Sequence, residues 1–513
     1  MTARRRRGGR RARIARRGPS NPQRPFRQPR LPWQPVAAIC EDRLEAIHEA
    51  SLQVLRDVGM DMLHHEARAI LRREGADVDP DSARVRFDPE MVTELVRCAP
   101  AEFTLHARNP AHHVRLGGRS LAFAAVASPP NVSGLGGDRR SGNRKDFRQL
   151  VRLSQHLNVV HLHGGYPVEP ADIHPSVRHL HATFDLLTLS DKAIHTYSLG
   201  RQRTLDTIEM ARIARGISES DLETQPSLYT IVNTSSPLRL DTPMIEGILE
   251  MSARNQPVAI TPFTLAGAMA PVTVAGALVQ QNAEALAGIS LTQAVRRGAP
   301  AMYGGFTSNV DMQTGSPAFG TPEYLQAALV GGQLARRYGL PYRSSNANAS
   351  NAVDLQATYE SMFSLWGAVM GGANLVMHAA GWLEGGLRAS FEKMVLDADL
   401  LQMICAALEP PVVDEDALAV EAIAEVGPGG HFFGTAHTQA RYRTAFHTPL
   451  LSDWSNFETW DEAGRPDPAD RTVFLARELL DAYEPPSMDP ATRSELEEFV
   501  AHRADQGGVP TDY

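Results

Sequence analysis

Cysteine is nearly missing from this chain of 513 residues: Cys40, Cys98 and Cys405 stand far apart, with no CxxC and no pairing pattern. That excludes a disulfide framework, and three small hydrophobes in a reducing compartment is the simplest reading. Long apolar runs are missing as well. A membrane span needs ~18 residues, and the nearest approach, Pro257–Ala275, is interrupted by Pro262 and Pro271. A soluble, cytoplasmic protein is expected. Acid is absent from residues 1–30, which hold twelve arginines, Arg4 to Arg7 in a row. The formal net charge is −8, so the remainder carries −20, the difference between −8 and +12. An arginine run of this kind can serve a nucleic acid or another acidic surface. It has almost no apolar residues to fold with, and reads as a disordered extension or a start codon assigned too early. Arg16-Arg17 is followed by Gly-Pro-Ser-Asn-Pro where an export signal would carry an apolar h-region, so export is rejected.

The signatures of several chemistries are also missing. There is no GxSxG nucleophile elbow and no HExxH zinc helix. Gly134-x-Gly136-Gly137 is a poor version of a dinucleotide-binding GxGxxG. His161-x-His163 places two imidazoles on one face of a strand without cysteine partners. Histidines in the core or against a substrate are the better reading of them than a metal site, which needs three or four clustered ligands. No DxHxxG motif for holding cobalamin is present, and His378-Ala-Ala-Gly does not supply one.

Hairpin signals are absent between Leu121 and Ala379, and what stands there instead is one pattern repeated eight times. Apolar runs at Leu121–Ala127, Val159–His163, Ala193–Leu199, Ser227–Asn233, Val258–Phe263, Ala301–Phe306, Tyr342–Asn346 and Asn374–Ala379 each end in small or polar residues. Amphipathic stretches follow at about 144–156, 175–189, 203–215, 242–253, 272–297, 322–338, 355–371 and 390–407. Eight strand–helix units close a parallel TIM (β/α)8 barrel. A doubly wound open sheet is the structural alternative, with ligands again at the carboxyl ends of the strands. The expected organisation is a disordered Arg-rich tail (1–37), an N-terminal helical cap (38–120), the barrel (121–407) and a C-terminal extension packing on it (408–513). In the cap, helices are read at Asp42–Val58, His65–Arg73 and Asp88–Ala99, and short strands at Phe103-Thr-Leu-His and His113-Val-Arg-Leu.

Barrel chemistry sits just past the strands, where this sequence is rich in amides, hydroxyls and rings and poor in acids. Alternation along a strand turns roughly half of these residues inward. A mouth of this kind suits a cation without N–H groups, held by ring faces. Tyr166, Tyr197, Phe263, Tyr303, Phe306 and Trp382 are candidates for that cage, with barrel packing as the competing role. Should the ligand carry a carboxylate, Asn233, Asn346, Asn348, His378 or a backbone N–H at a helix start can meet it. Glu384 is a candidate to balance the cation. Gly304-Gly305 and Gly385-Gly386 permit close approach of a large flat cofactor, or simply relieve crowding in tight turns.

Four passages carry a resemblance. They are Asn374-Leu-Val-Met-His-Ala-Ala-Gly-Trp-Leu-Glu-Gly-Gly-Leu387, Ser390-Phe-Glu-Lys-Met-Val-Leu-Asp397, Gly427-Pro-Gly-Gly-His-Phe-Phe-Gly-Thr-Ala-His-Thr438 and Pro449-Leu-Leu-Ser-Asp-Trp-Ser-Asn-Phe-Glu-Thr-Trp460. From about residue 36 onward, and not in the Arg-rich tail, the chain resembles the trimethylamine methyltransferase family. The likeness is to the members without pyrrolysine, which include glycine betaine methyltransferases. The resemblance implies a TIM-barrel enzyme that moves a methyl group from a methylated, quaternary amine to cob(I)alamin on a small corrinoid-binding protein. Cobalamin would then come in trans, with no cofactor bound tightly by this chain. A homo-oligomer is expected, with neither membrane nor nucleic acid as partner. The resemblance assigns no catalytic residue, and His431 and His437 of the third passage are expected to brace the C-terminal region. Two rivals stand beside this reading: a metal-assisted lyase using His161 and His163, and a non-catalytic betaine-binding protein.

Overall fold

A computed structural model describes residues 23–511. Eight parallel β-segments follow one another around a closed barrel. They are β1 (Ala122–Ala125), β2 (reduced to a bridge at Leu162), β3 (Ile194–His195), β4 (Leu228–Val232), β5 (Val258–Ile260), β6 (Ala301–Gly304), β7 (Tyr342–Ser345) and β8 (Leu375–Ala380). Seven form a continuous sheet from β1 through β8 down to β3. Parallel bridges Ala124↔Leu162 and Leu162↔Ala193 close the ring. Each segment is followed by a helix: α1 (Arg144–His156), α2 (Pro175–Leu189), α3 (Arg201–Arg215), α4 (Thr242–Ala253), α5 (Val274–Val295), α6 (Pro322–Arg337), α7 (Leu355–Gly371) and α8 (Phe391–Ala407). The chain is thus a TIM barrel, and the doubly wound alternative falls.

The helix starts follow from local chemistry. Asn143, Asp241, Thr273, Thr321, Asp354 and Ser390 each accept a hydrogen bond from the amide three residues on. Each satisfies one of the orphan N–H groups of a helix N-terminus. Pro175, Pro243 and Pro322 stand in first turns, where a missing N–H costs nothing.

Two elements decide which end of the barrel is open. The antiparallel strands Glu102–Leu105 and Val114–Gly117 cover the N-terminal end. Their Leu105, Val114 and Leu116 join one apolar cluster with inward residues of the barrel, among them Ala122, Ala124, Leu162, Tyr229, Met302 and Leu375. The helices Glu41–Gln53, His65–Glu74 and Pro89–Arg97 lie against α5. That helix is therefore buried on both sides and has no single apolar stripe. At the other end of the chain, Pro468–Asp481 packs on α8 and α1, and Pro490–Asp505 on α2 and α3.

The segment before residue 38 departs from expectation. Residues 1–22 lie outside the described residues, but 23–37 are not a flexible lead-in. The Gln23 side chain donates to the His156 carbonyl (3.1 Å), and the Arg24 amide to Gln402 (2.8 Å). The Leu31 amide donates to Arg119 (2.9 Å), and Leu121 returns a bond to Pro29 (3.0 Å). Phe26 inserts between His112 (4.4 Å) and His161 (5.4 Å). An extended, proline-rich strip needs no helix or sheet of its own when a barrel base supplies its partners. Among the described residues, no helix is long and apolar enough to cross a membrane.

Candidate functional site

The strand ends converge in two groups of rings. On the β2–β4 side, Tyr197 meets Tyr166 edge-on (4.4 Å) and His195 (5.1 Å), and His195 meets Tyr229 (5.2 Å). On the β5–β8 side, Phe306 stacks on Phe263 (5.1 Å) and on Phe319 (5.6 Å). Trp382 stands edge-on to Phe306 (6.3 Å) and lies 4.1 Å from the His378 ring. The sequence pattern selected Tyr166, Tyr197, Phe263, Phe306, His378 and Trp382, and the structure brings them to the mouth together, with exposed Asn233 at the end of β4. Phe319, in the loop after β6, was missed because nothing in its neighbourhood marks a strand end. An open well does not stand between the phenylalanines, which fill the space by stacking on one another. A cavity of about 170 Å³ lies instead on the tyrosine side, lined by Ser128, Tyr166, Tyr197, Glu169 and Arg178 among others. A larger groove, about 440 Å³, runs between the segment Arg24–Pro32 and the end of α8, far from this chemistry.

β8 is built to aim His378. Pairing with β1 jumps from Val376↔Phe123 to Ala380↔Ala125, so extra residues bulge out of β8. Such bulges re-aim side chains. His378 sits on that bulge with φ +54, and Ser128 and Glu384 on neighbouring loops also have positive φ. Strained non-glycine backbone of this kind collects at functional sites.

Several candidates do other work. Tyr303 points outward, its hydroxyl donating to Asn282 (3.1 Å) and accepting from Gln281 (3.3 Å). It belongs to the layer between β6 and α5, because Met302 and Gly304 take the inward positions. The Asn346 side chain donates to the Ala379 carbonyl (3.1 Å), and that of Asn348 to the Trp382 carbonyl (2.8 Å). Both are fully buried braces of the β8 loop rather than groups facing a ligand. Glu384 is already neutralised by Arg139 (2.8 Å) and Arg388 (3.0 Å). A Cβ on Gly304 would stand 2.1 Å from Thr261 Oγ1, and one on Gly305 3.1 Å from the Tyr342 hydroxyl. Gly385 faces Phe319 and Gly386 faces Trp382 in the same way. All four glycines relieve crowding within the protein, and their free faces are not a cradle for a flat cofactor. The two histidines proposed for a metal turn away from the mouth. His161 accepts from the Phe123 amide (3.1 Å) and bonds the Arg27 carbonyl (3.1 Å), while His163 bonds Ser190 (2.7 Å). His431 is exposed and His437 half-buried, outside the barrel.

Carboxylates around the mouth are engaged elsewhere. Glu284 receives Thr234, Ser236 (2.6 Å) and the Leu238 amide (2.8 Å). Glu360 receives the amides of Ala349 (2.8 Å) and Ser350 (3.1 Å), and Glu169 pairs with Arg178. The charge that does face inward is Arg343 of β7, which was overlooked. Its guanidinium lies over Phe306 at 5.4 Å and is 2% exposed. A cation in a strand otherwise bound for burial was the signal. Burial holds its pKa down at about 10. Burial, with the Arg343 charge, pushes His195 down to about 3 and His378 well below its ordinary value. Both rings are therefore neutral. The Ile231 amide donates to His195 Nε2 (3.0 Å), which leaves the ring proton on Nδ1.

A family model, Trimethylamine methyltransferase (MTTB), matches residues 6–508, beginning inside the Arg-rich segment rather than near residue 36. Glycine betaine methyltransferase of Desulfitobacterium hafniense (strain Y51) is 36% identical over 471 residues, 92% of this chain and 98% of that protein. Trimethylamine methyltransferase MttB of D. hafniense (strain DSM 10664 / DCB-2) is 29% identical over 476 residues, covering 92% and 95%. Trimethylamine methyltransferase MttB1 of Methanosarcina mazei is 28% identical over 435 residues, covering 83% and 87%. Among solved structures, the Methanosarcina barkeri monomethylamine methyltransferase (MtmB) superposes with a TM-score of 0.51 over 88% of this chain and 90% of that one, at 12% identity. That likeness speaks for the fold.

Proposed function

The chain belongs to the trimethylamine methyltransferase family and is a methyltransferase of methylated amines; on that premise we propose that its substrate is a quaternary amine of the betaine type and its acceptor the cobalt of a partner corrinoid protein. The observation that carries this reading is the mouth itself: rings on both sides, neutral histidines, and carboxylates that are each engaged elsewhere.

Leaving-group chemistry makes that arrangement meaningful. A quaternary nitrogen departs from its methyl as a neutral tertiary amine and needs no proton. A neutral tertiary amine would depart as an amide anion unless an acid protonated it. With His195 and His378 held neutral, the mouth offers no ready acid. It suits the first substrate and serves the second poorly. The protein's work is then to hold the cation against ring faces and aim one methyl outward. Cob(I)alamin supplies the nucleophile when its carrier docks. Large apolar side chains stand exposed on the loops after β5, β6 and β8 and at the start of α7: Val272 (66%), Met312 (70%), Leu387 (53%) and Leu355 (86%). A rim of this kind fits a surface that a partner covers. Three unpaired cysteines accord with a cytoplasmic site of action.

A panel of mono-, di- and trimethylamine, tetramethylammonium and N,N,N-trimethylglycine with free cob(I)alamin, followed by methylcobalamin absorbance, tests the reading. Turnover of quaternary amines alone is expected. Silence with every methylated amine would remove the corrinoid assignment.

A further inference from the structure

We propose that the groove between the segment Arg24–Pro32 and the end of α8 is a second binding site, at the base of the barrel and apart from the mouth, and that it takes a small organic acid with an apolar body.

The walls set the body of the ligand. The groove holds about 440 Å³, the size of a small-molecule pocket. Buried Leu31 and Leu408 line it together with Pro25, Pro29 and Pro32. Proline has no N–H, so this side of the groove offers apolar surface and few backbone donors. Cys405 adds a neutral thiol, which burial pushes up to about 12.

One donor in the groove has nothing to bond. Gln402 is 2% exposed and belongs to the lining. Its oxygen accepts the Arg24 amide (2.8 Å), which fixes how the side chain is turned, and its Nε2 has no partner. The other two amides of the lining are satisfied within the protein. Gln28 bonds the carbonyl (2.6 Å) and the N–H (3.0 Å) of Arg115, and Asn158 donates to the Arg24 carbonyl (3.0 Å). A buried N–H without an acceptor is costly to keep, so what the groove lacks is an acceptor.

Charge decides which acceptor. Arg24, Arg27 and Arg30 line the groove against a single acid, Glu409. Glu409 pairs with Arg24 and stands 3.9 Å from Arg27, whose side chain is 79% exposed. Two positive charges are left in excess. The C-terminal end of α8 offsets them by only roughly half a charge. An anion is therefore drawn in and an amine repelled. A carboxylate meets the free Gln402 donor and the arginines together, while a bare inorganic anion would leave the apolar walls uncovered.

Isothermal titration of the whole chain with octanoate tests this, with octylamine and octanol as controls of equal chain length. One octanoate per chain should bind, with a Kd below about 1 mM, and neither control should come within about fivefold of it. Gln402→Glu keeps an acceptor for the Arg24 amide and removes the donors, and should weaken octanoate at least about 10-fold. Arg27→Gln combined with Arg30→Gln, both on exposed side chains, should weaken it by about 10-fold as well. Saturating N,N,N-trimethylglycine should leave octanoate binding unchanged, because the mouth is at the other end of the barrel. The proposal is overturned by no octanoate binding, by octylamine or octanol binding equally well, by displacement with N,N,N-trimethylglycine, or by affinities within about threefold of wild type in the variants. If Gln402→Glu fails to fold by circular dichroism, the double arginine variant decides by the same measure.

Discussion

Lys393 and Asp397 stand one turn apart in α8 with both side chains fully buried. Lys393 Nζ donates to Asp397 and to Ser361 Oγ (2.8 Å), and the other Asp397 oxygen accepts the Gly381 amide (2.8 Å). Ser361 also meets Asn348, whose amide holds the Trp382 carbonyl. The pair therefore pins the turn that presents Trp382. Lys393→Met deletes one charge and strands the other, a change that costs about 3–5 kcal/mol in buried pairs. Burial already pushes the Asp397 carboxyl up and the Lys393 amine down, so the stranded acid can escape by taking up a proton. The sign follows. A carboxyl whose folded pKa lies above its unfolded value of about 3.9 favours the folded state below that value. The advantage is lost as pH rises through the folded pKa. The variant should thus be less penalised at pH 5 than at pH 8. Adding Asp397→Asn removes the second charge while keeping an acceptor for Gly381, and should recover at least half of the loss. Urea unfolding followed by circular dichroism at both pH values measures this. A loss below about 1 kcal/mol at pH 8, or a double variant no better than Lys393→Met, refutes the reasoning.

Trp382→Ala should raise KM for a quaternary amine about 10-fold, the worth of one desolvated ring face, and a KM that does not move would take Trp382 out of the cage. Tyr303→Phe should lower stability by about 1 kcal/mol through its lost hydroxyl contacts and leave KM alone, since the ring faces α5. An altered KM would mean that Tyr303 reaches the substrate after all. Burial holds His48 and His161 at about 4, and His163 and His195 at about 3. Unfolded histidines bind protons below about 6.5 while these do not, so stability should fall with pH from there, by about 1 kcal/mol per ring per unit. Chemical denaturation at pH 7.5 and 5.5 reads the difference, and equal midpoints would contradict the burial of these rings.

How much could be read in advance differs between the helices and the site. Helix bounds such as 144–156 and 175–189 were visible because Asn143 and Pro175 act within a few residues of themselves. Eight strand positions were visible because apolar runs recur at one spacing, even where, at Leu162, a single bridge remains. The facing of side chains was less accessible. Phe306 enters the mouth while Tyr303, on the same run, leaves it, and only the phase of β6 within the closed barrel separates them. The bulge in β8 resets that phase for His378 with no local mark. Asn346 and Asn348 look like ligand groups until the loop they brace is seen.

Composition, caps and the eightfold recurrence were enough for the barrel, for the end that carries chemistry, and for a ring-rich, acid-poor lining, because each arises from contacts close in sequence. Tertiary structure alone decided that the segment from Gln23 lies along the base, that Glu384 is quenched by two arginines, and that Arg343 is buried against the Phe306 ring. The first two depend on partners far along the chain, His156 for Gln23 and Arg139 for Glu384, and no periodicity records them.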